Sequence, residues 1–374
     1  MKKVLCVIIA IVMLASVMTG CGGKTSTNQT EPKVSQSEAK TDETKKDETQ
    51  KIDPKDLPEL RVGTIALGII SVGVDHIVKN GWDVENGFKI KEVVFPYGVP
   101  INEAMAANTV DVATTGFAAV VGVPNYNEKM IGEIGESNTC ALFVRKDSPI
   151  AKVKGINPKY PDVYGDPETV KGKQIICAVG SLTNFAVSSW LSKIGLKDAE
   201  VKIVNMDTAA GLQAFESGQA DVVALNALLM YEGIKKEWVQ VADYKTMGIK
   251  NYDVLIANSK TYDANKEMMI KFVKQLFRAN DELVSNPEML AAEAKEWADK
   301  NGAKIDMEAL KWQISQDPLM TSAKAKETIG NMGNTLKELG QFSVTAGKLQ
   351  ADKLPIYDKN ITTEILEAAL EIKK

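Results

Sequence analysis

The chain has 374 residues, with 45 lysine and arginine residues against 49 aspartate and glutamate residues, so its formal net charge is −4. This acidic balance argues against nucleic acid or an anionic lipid surface as the main partner. A chain of this length exceeds a single small core, and we expect more than one domain.

Residues 1–21 predict an export signal of the lipoprotein type. Lys2 and Lys3 precede an apolar run over residues 4–17, which is too short for a membrane-spanning helix, since such a helix needs about 20 residues. The Met-Thr-Gly-Cys sequence that ends at Cys21 resembles the bacterial lipobox. We therefore expect a lipid on Cys21 that anchors the protein to the extracytoplasmic face of the cell membrane. An ordinary signal peptide with a chance cysteine is the alternative.

Residues 22–57 predict a disordered tether. They are mostly Lys, Thr, Glu, Gln, Ser and Asp and include no aromatic residue, so they cannot bury enough apolar surface to fold. When Lys2 and Lys3 leave with the signal, 43 basic and 49 acidic residues remain, which gives a net charge of −6. Such a tether lets a folded body move above the membrane that holds its lipid.

From residue 58 onward, strand and helix patterns alternate, which is typical of α/β domains. The first unit has predicted strands at residues 60–66, 90–95 and 110–113 and predicted helices at 69–79 and 100–107. After a strand at 139–144, a second unit has strands at 174–179, 201–204 and 220–224 and helices at 184–194 and 207–218. Helical patterns follow at 266–284, 287–300, 307–314 and 323–339, and we expect these helices to pack on the first unit.

This pattern divides the body into two α/β domains. Domain 1 is predicted to combine residues 58–144 with residues 248–374, and domain 2 to span residues 145–247. The two units also share a local sequence, because the segment that ends in Asp111 aligns with the one that ends in Asp221. We expect both carboxylates to bond backbone groups where strands begin, and not to bind a ligand.

Cys140 and Cys177 are the cysteines that remain in the body. Both lie in apolar strand-like runs, which predicts two buried thiols. A disulfide favoured by an oxidising exterior is the alternative. With His76 as the single histidine of the chain, a zinc site has too few ligands. We expect no metal, no cofactor and a structural role for His76.

Several short motifs follow one another in the order and spacing of a known family. They are Leu60-Arg-Val-Gly63, Ala104 to Gly116 with its Thr-Thr-Gly ending, Asp147 to Ile150, Gly172-Lys173, Gly180-Ser181 and Ala214 to Asp221. Over residues 60–296 the chain resembles the solute-binding proteins of ABC importers in the nitrate, aliphatic sulfonate and taurine group. The resemblance implies a type II periplasmic-binding-protein fold, in which two α/β domains close on a ligand about a hinge. It also implies a monomeric receptor that delivers its solute to a membrane permease driven by a cytoplasmic ATPase.

Ligands of such folds lie beyond the carboxyl ends of the strands, where loops and helix N-termini point. Helix N-termini offer unpaired N–H groups and a partial positive charge, which suit a sulfonate, carboxylate or nitrate group. N-capping alone is the other interpretation for Ser181 or Thr183. The predicted ligand-binding residues are Ala66, Leu67, Thr114, Thr115, Gly116, Ser137, Asn138, Ser181, Leu182, Thr183, Asn184 and Asn226.

The sequence departs from the family in ways that leave the ligand open. Asn184 stands near a position where many sulfonate-group members have histidine, and Asn226-Ala227 replaces an aspartate-proline pair. Arginine is the preferred bidentate partner of carboxylate and sulfonate, yet none lies in a predicted cleft loop. A small anion is one prediction, and a pyrimidine-like heteroaromatic is the other. The second rests on aromatic residues near the same loops, namely Phe95, Tyr97, Phe117, Phe185 and Tyr231,.

Two other classes compete with a receptor. An exported enzyme lacks support, because the chain has neither a Gly-x-Ser-x-Gly elbow nor a His-Glu-x-x-His motif,. Gly22-Gly23-Lys24-Thr25 imitates part of a phosphate-binding loop but lies in the predicted tether. A structural or adhesive lipoprotein lacks the β repeats or low-complexity stalk of that class. We therefore predict a receptor that is not an enzyme.

Overall fold

The computed structural model describes residues 56–126 and 128–372. The predicted signal peptide, the lipidation at Cys21 and nearly all of the predicted tether lie outside the described residues, so they stay predictions. Within the described ranges, no helix has both the length and the apolar character that crossing a membrane requires.

The strands form two groups, each of which builds one sheet. Their bounds are β1 (Glu59–Ile65), β2 (Lys89–Phe95), β3 (Val112–Thr115), β4 (Glu128–Glu136), β5 (Cys140–Val144), β6 (Gln174–Cys177), β7 (Lys202–Asn205), β8 (Val222–Asn226), β9 (Val239–Asp243) and β10 (Tyr252–Asn258). We call residues 56–136 and 252–372 lobe 1, and residues 140–243 lobe 2.

The helices surround these sheets and begin with ordinary capping chemistry. Before α6, the Ser181 hydroxyl accepts the N–H of Thr183, and before α7 the Asp207 carboxylate accepts two N–H groups of the first turn,. The helices are α1 (Ile69–Lys79), α2 (Trp82–Glu85), α3 (Val99–Ala106), α4 (Ala119–Asn125), α5 (Pro167–Val170), α6 (Leu182–Lys193), α7 (Thr208–Glu216), α8 (Ala227–Lys235), α9 (Lys266–Ser285), α10 (Pro287–Lys300), α11 (Met307–Gln316), α12 (Ser322–Thr328), α13 (Asn334–Thr345), α14 (Pro355–Asn360) and α15 (Glu364–Ala369).

Both sheets have the same arrangement of strands. The order is β2-β1-β3-β10-β4 in lobe 1 and β7-β6-β8-β5-β9 in lobe 2. In each sheet three parallel strands lie beside an antiparallel pair. One strand of each antiparallel pair enters its lobe directly from the other lobe. The predicted α/β class is therefore confirmed.

The chain passes between the lobes at residues 137–139 and 244–251, which we call the first and second crossover segments. The predicted domain boundary after residue 144 is wrong, because β5 pairs with β8 and β9 of lobe 2. Periodicity identified β5 as a strand, but it contained no information about which sheet the strand joins. The predicted return at residue 248 falls inside the second crossover segment.

Each lobe has its own apolar core. In lobe 1, Phe272 and Phe277 of α9 and Trp297 of α10 are almost completely buried. In lobe 2, α6 covers one face of the sheet through Trp190, and α7 and α8 cover the other face around Phe215. Full burial of one large apolar side chain contributes roughly 1.5–3 kcal/mol, so each lobe is a firm framework for the loops at its edges.

Asp111 and Asp221 occupy equivalent places in the two lobes. Asp111 precedes β3, and its Oδ2 accepts the N–H of Arg61 at 3.0 Å. Asp221 precedes β8, and its Oδ2 accepts the N–H of Gln174 at 2.9 Å. Both carboxylates thus satisfy a backbone donor where a neighbouring strand begins, which confirms the predicted structural role. The strand predicted at residues 110–113 begins later, at Val112, because Asp111 caps the ladder.

Cys140 and Cys177 are buried free thiols. Cys140 begins β5 and Cys177 ends β6, and β8 lies between these two strands. Burial raises the pKa of the Cys177 thiol to about 12, which keeps it protonated,. The prediction of two buried thiols is confirmed.

The C-terminal helices pack on lobe 1, as predicted, and two of them also reach lobe 2. The Trp312 ring of α11 lies 5.1 Å from the Tyr231 ring of α8, measured between centroids. The Phe342 ring of α13 lies 4.9 Å from the Phe185 ring of α6. These helices therefore join the lobes in addition to the crossover segments.

The prediction of one helix over residues 323–339 is wrong. The helix α12 ends at Thr328 and α13 begins at Asn334, because Gly333 between them has a φ of 82°. A right-handed helix cannot continue through that backbone conformation. The break also lets the Gly333 N–H donate to Glu133 Oε1 at 3.0 Å.

Candidate functional site

The parallel strands of both lobes end beside the crossover segments. In lobe 1, Thr115 at the end of β3 pairs with Val254 near the start of β10. In lobe 2, Asn226 at the end of β8 pairs with Cys140 at the start of β5. The loops that follow the parallel strands of the two lobes therefore border one cleft, which we call the interlobe cleft.

The loop after β1 is shaped from inside lobe 1 by Ser71. Its hydroxyl accepts the N–H of Ile65 at 2.9 Å and bonds the Thr114 hydroxyl at 3.2 Å. Thr114 is fully buried, so its side chain supports the loop and offers no surface to a ligand. Ala66 and Leu67 follow β1 directly, and the Leu67 side chain is exposed.

Gly116 lies against a carboxyl group that the sequence did not single out. A Cβ at this position would stand 2.6 Å from Asp253 Oδ1, so glycine allows the close approach,. Burial, with the charge of Asp317, raises the pKa of Asp253 well above its ordinary value,. The neighbouring Thr115 has a buried hydroxyl without a hydrogen-bond partner among the described residues. A carboxyl group with a raised pKa and an unpaired hydroxyl thus flank the end of β3.

Asp317 fixes the first crossover segment. Its Oδ1 accepts the N–H groups of Asn138 and Thr139 at 2.7 and 3.0 Å, and its Oδ2 accepts the Thr139 hydroxyl at 2.5 Å. The N–H of Ser137 donates to the Asn251 carbonyl of the second crossover segment at 2.9 Å. Ser137 and Asn138, both predicted site residues, therefore hold the connection between the lobes.

The loop before α6 is held by the residues that follow it. Asn184 Oδ1 accepts the N–H of Gly180 at 3.0 Å, and Thr183 Oγ1 accepts the N–H of Ala178 at 3.1 Å. Thr183 and Asn184 are both buried, so their side chains set the shape of the loop. Ser181 stays partly exposed and caps the helix, which makes it the better placed of these predicted residues for direct contact.

Leu182 and Asn226 complete the lobe 2 side of the cleft. The Leu182 carbonyl accepts the Tyr244 hydroxyl at 2.9 Å, which ties the start of α6 to the residues after β9. Asn226 is half-buried, and the next residue, Ala227, has a φ of 48°. A left-handed alanine costs free energy, and such strain is concentrated at functional sites. The N–H of Ala227 donates to the Thr139 carbonyl at 2.9 Å.

Lys348 is a cation at this site that the sequence did not reveal. A Cβ at Gly180 would lie 2.6–2.9 Å from the Cγ, Cδ and Cε atoms of Lys348, so the lysine stem crosses the loop before α6. Lys348 follows α13, beyond the residues that resemble the family, and no motif marks it. Its charge adds to the positive end of α6.

The arginines lie outside the cleft loops, as the sequence predicted. Arg61 pairs with Asp111 at 2.6 Å. Arg145 donates to the backbone carbonyls of Phe215 and Ala220. Arg278 stacks on the Trp82 ring, with its guanidinium carbon 3.5 Å from the centroid.

The aromatic residues that suggested a heteroaromatic ligand differ in their surroundings. Phe95 and Phe117 pack against the lobe 1 core, and Phe185 and Tyr231 form the ring contacts between the lobes. Tyr97, in the loop after β2, has 59% of its surface exposed. Tyr97 is therefore the most exposed residue of this set.

His76 lies away from the cleft on α1. Its ring is buried, and Nδ1 bonds Glu293 Oε2 at 2.9 Å. The Trp82 ring packs against it edge-on, 5.1 Å away between centroids. The contacts are those of a structural histidine.

Comparison with known proteins decides the family. A family model described as NMT1/THI5 like matches residues 78–290. The chain belongs to the NMT1/THI5-like family. A protein of Brachyspira hyodysenteriae that is named as an ABC transporter periplasmic binding protein is 32% identical over 298 residues, which cover 79% of this chain and 86% of that protein. The protein described here is thus a homologue of ABC transporter binding proteins, which confirms the resemblance found in the sequence.

Two further relatives have names that state a ligand. The taurine-binding periplasmic protein of Escherichia coli is 25% identical over 220 residues, which cover 56% of this chain and 62% of that protein. The solved structure of the periplasmic aliphatic sulphonate binding protein SsuA of Escherichia coli superposes with a TM-score of 0.62 at 14% identity, over 80% of this chain and 91% of that one. The structural likeness confirms the predicted type II periplasmic-binding-protein fold.

Proposed function

We propose that this NMT1/THI5-like protein is the solute receptor of an ABC importer and captures a small anion in the interlobe cleft. The proposed solutes are of the aliphatic sulfonate, taurine or nitrate type. The names of the relatives support the importer role and the first two solute types. The proposal of an anionic solute rests on the start of α6, where a helix N-terminus and Lys348 meet.

The start of α6 suits an anion for three physical reasons. The first N–H groups of a helix have no partner within the helix, and the helix dipole adds a partial positive charge there. The Ser181 hydroxyl donates to the Ala178 carbonyl at 2.7 Å, and because the residue is partly exposed it can turn this single donor toward a ligand oxygen instead,. The lysine stem across Gly180 adds a full positive charge nearby. Together these groups replace the arginine that is missing from the cleft loops.

The rest of the transport role follows from this capture step. Closure of lobes 1 and 2 around the crossover segments would present a closed, loaded receptor to a membrane permease, whose cytoplasmic ATPase supplies the energy. A lipid on Cys21 would hold the monomeric receptor at the extracytoplasmic face of the membrane. In this role the chain binds and releases its solute without chemical change, so it is not an enzyme.

The test is a thermal-shift screen of the lipid-free chain from residue 22 onward. The panel holds alkanesulfonates, taurine, nitrate, bicarbonate, amino acids and pyrimidine derivatives. A ligand at 100 times its dissociation constant adds about 2.7 kcal/mol to stability, which raises the unfolding midpoint measurably. Lys348→Met should weaken binding of an anionic hit about tenfold or more, while Lys359→Met, at an exposed lysine of the same lobe, should not. Equal affinity of both variants would remove the anion site at α6.

A heteroaromatic solute is the second candidate, and Tyr97 is the observation that favours it. Its exposed ring at the cleft edge is suited to stacking on a flat ligand,. A hit among the pyrimidine derivatives that is lost in Tyr97→Leu and kept in Lys348→Met would replace the anion by this class. Turnover of a bound compound would instead favour the exported enzyme.

A further inference from the structure

A second space between the lobes lies beside the second crossover segment. It is a cavity of about 620 Å³, within the range of small-molecule sites,. None of the predicted ligand-binding residues lines it. Its lining includes Glu133, Tyr160, Phe185, Lys193, Lys250 and Glu338.

One helix of each lobe forms a wall of this cavity. Residues Phe185, Ser189 and Lys193 recur at the spacing of one face of α6,. The opposite wall is α13, and the two helices touch through the Phe185 and Phe342 rings, 4.9 Å apart. From this contact α6 extends along the cavity toward its C-terminal end and α13 toward its N-terminal end, since residues 189 and 193 of α6 and residues 334–339 of α13 contribute to the lining. The cavity is the space between them.

The two walls have opposite charge. Lobe 1 contributes Glu133 and Glu338, and Glu133 is only 6% exposed. Lobe 2 contributes Lys193, and the crossover segment contributes Lys250. Among the described residues these four make no ion pair with one another at 4.0 Å or less. These groups therefore have no partner across the cavity. Burial raises the pKa of Glu133 to about 7, and an ammonium group that enters the cavity would favour its ionised form.

The individual groups suit the two ends of one small molecule. Glu133 lines the cavity, and its Oε1 accepts the N–H of Gly333 at 3.0 Å, which fixes the carboxyl group in place. Tyr252 lines the same wall, and an aromatic ring in the wall of a cavity suits an ammonium group. On the opposite wall, the Lys193 ammonium lies 4.6 Å from the Tyr160 centroid, which holds it at the cavity edge.

We propose that this cavity is a second binding site, which takes a zwitterion the size of an amino acid or dipeptide. Its ammonium group binds Glu133 and Glu338 of lobe 1, and its acid group binds Lys193 of lobe 2. Such a molecule contacts both lobes and the second crossover segment at once. Its binding therefore favours one relative position of the lobes, and the site acts as an effector site on solute capture.

The test is isothermal titration of the lipid-free chain from residue 22 onward with β-alanine, glycine betaine and glycylglycine. The uncharged N-acetylglycinamide is the matched control ligand. We expect at least one zwitterion to bind and the uncharged ligand not to bind. Lys193→Met and Glu133→Gln should each weaken that binding tenfold or more. Their controls are Lys202→Met, at an exposed lysine of lobe 2, and Glu128→Gln, at a buried glutamate of the same strand as Glu133.

The outcomes separate this site from the interlobe cleft. Zwitterion binding that is lost in Lys193→Met and kept in Lys348→Met and Thr115→Ala supports the second site, whatever happens to the anion panel. Binding that is lost only in Lys348→Met or Thr115→Ala places the zwitterion in the interlobe cleft and overturns the proposal. A panel without binding also overturns it, and the charged walls are then an electrostatic contact that forms when the lobes close.

Discussion

Glu128, at the start of β4, is a buried carboxyl group without a donor. Both its oxygens, and Oδ1 of Asn102, are buried and unpaired among the described residues. They crowd one side of Gly122, since a Cβ there would stand 2.1 Å from Glu128 Oε2 and 2.8 Å from Asn102 Oδ1. Burial raises the pKa of Glu128 to about 8. A neutral carboxyl group can donate its proton to Asn102 Oδ1, which would give both groups a partner.

The pH dependence of stability follows from the direction of this shift. The pKa of Glu128 in the folded chain is above its ordinary value of 4.5. Its contribution to the free energy of unfolding is therefore fully present below about pH 4.5 and is lost as the pH rises toward 8. Each pKa unit corresponds to about 1.4 kcal/mol. We expect Glu128→Gln, which stays neutral, to be more stable than the parent chain at pH 8 by on the order of 3 kcal/mol. Urea unfolding at pH 5 and pH 8 measures the difference.

Two features of that measurement identify Glu128 as the cause. Glu168→Gln, at an exposed glutamate of lobe 2, should leave the pH dependence of the parent chain unchanged. Part of the slope below pH 7 should persist in Glu128→Gln, because burial also raises the pKa of Glu133 to about 7. Parallel stability profiles of Glu128→Gln and the parent chain would contradict a neutral Glu128.

At the scale of elements, periodicity identified most strands and helices but not their partners. The sequence predicts the strand β5 but not its domain, since pairing with β8 depends on residues far away in sequence. The site shows the same limit. Loops after parallel strands were predictable from the order of elements, whereas Asp253 and Lys348 reach the cleft through tertiary contacts with Gly116 and Gly180. A local pattern contains no signal for such contacts.

The break between α12 and α13 is the element that periodicity missed, and it rests on Gly333. This residue has a φ of 82°, and a Cβ there would lie 2.7 Å from the Ile361 side chain. We expect Gly333→Ala to lower the free energy of unfolding by about 2 kcal/mol, because alanine is strained in the left-handed backbone conformation and its Cβ clashes with the Ile361 side chain. Urea unfolding at constant pH measures the loss.

Gly330 provides the matched control for that substitution. It lies in the same connection between the helices, yet a Cβ there would meet no atom within 4 Å, and its φ is not positive. Gly330→Ala should therefore change stability by less than about 0.5 kcal/mol. Equal losses in the two variants would mean that the whole connection, and not the backbone of Gly333, sets the cost.

At the scale of the molecule, the relative position of the lobes depends on side-chain contacts as well as on the crossover segments. The Trp312–Tyr231 and Phe342–Phe185 ring pairs join the lobes on two sides. Ring pairs of this kind contribute about 0.5–1.5 kcal/mol each beyond the area that they bury. An equilibrium between open and closed forms separated by a few kcal/mol is shifted noticeably by losing one such pair. In the receptor role proposed above, these ring pairs therefore contribute to the balance between the open and closed forms.

The variant Trp312→Ala with Phe342→Ala tests this balance. In the absence of ligand we expect a larger radius of gyration than that of the parent chain, measured by small-angle X-ray scattering on residues 57–374. A solute found in the thermal-shift screen should bind several-fold more weakly to the variant, because the closed form that binds it is less populated. Tyr126→Ala, at an exposed aromatic residue of lobe 1, should change neither quantity. In the parent chain, saturating solute should reduce the radius of gyration, and scattering curves that superpose with and without solute would contradict closure about the crossover segments.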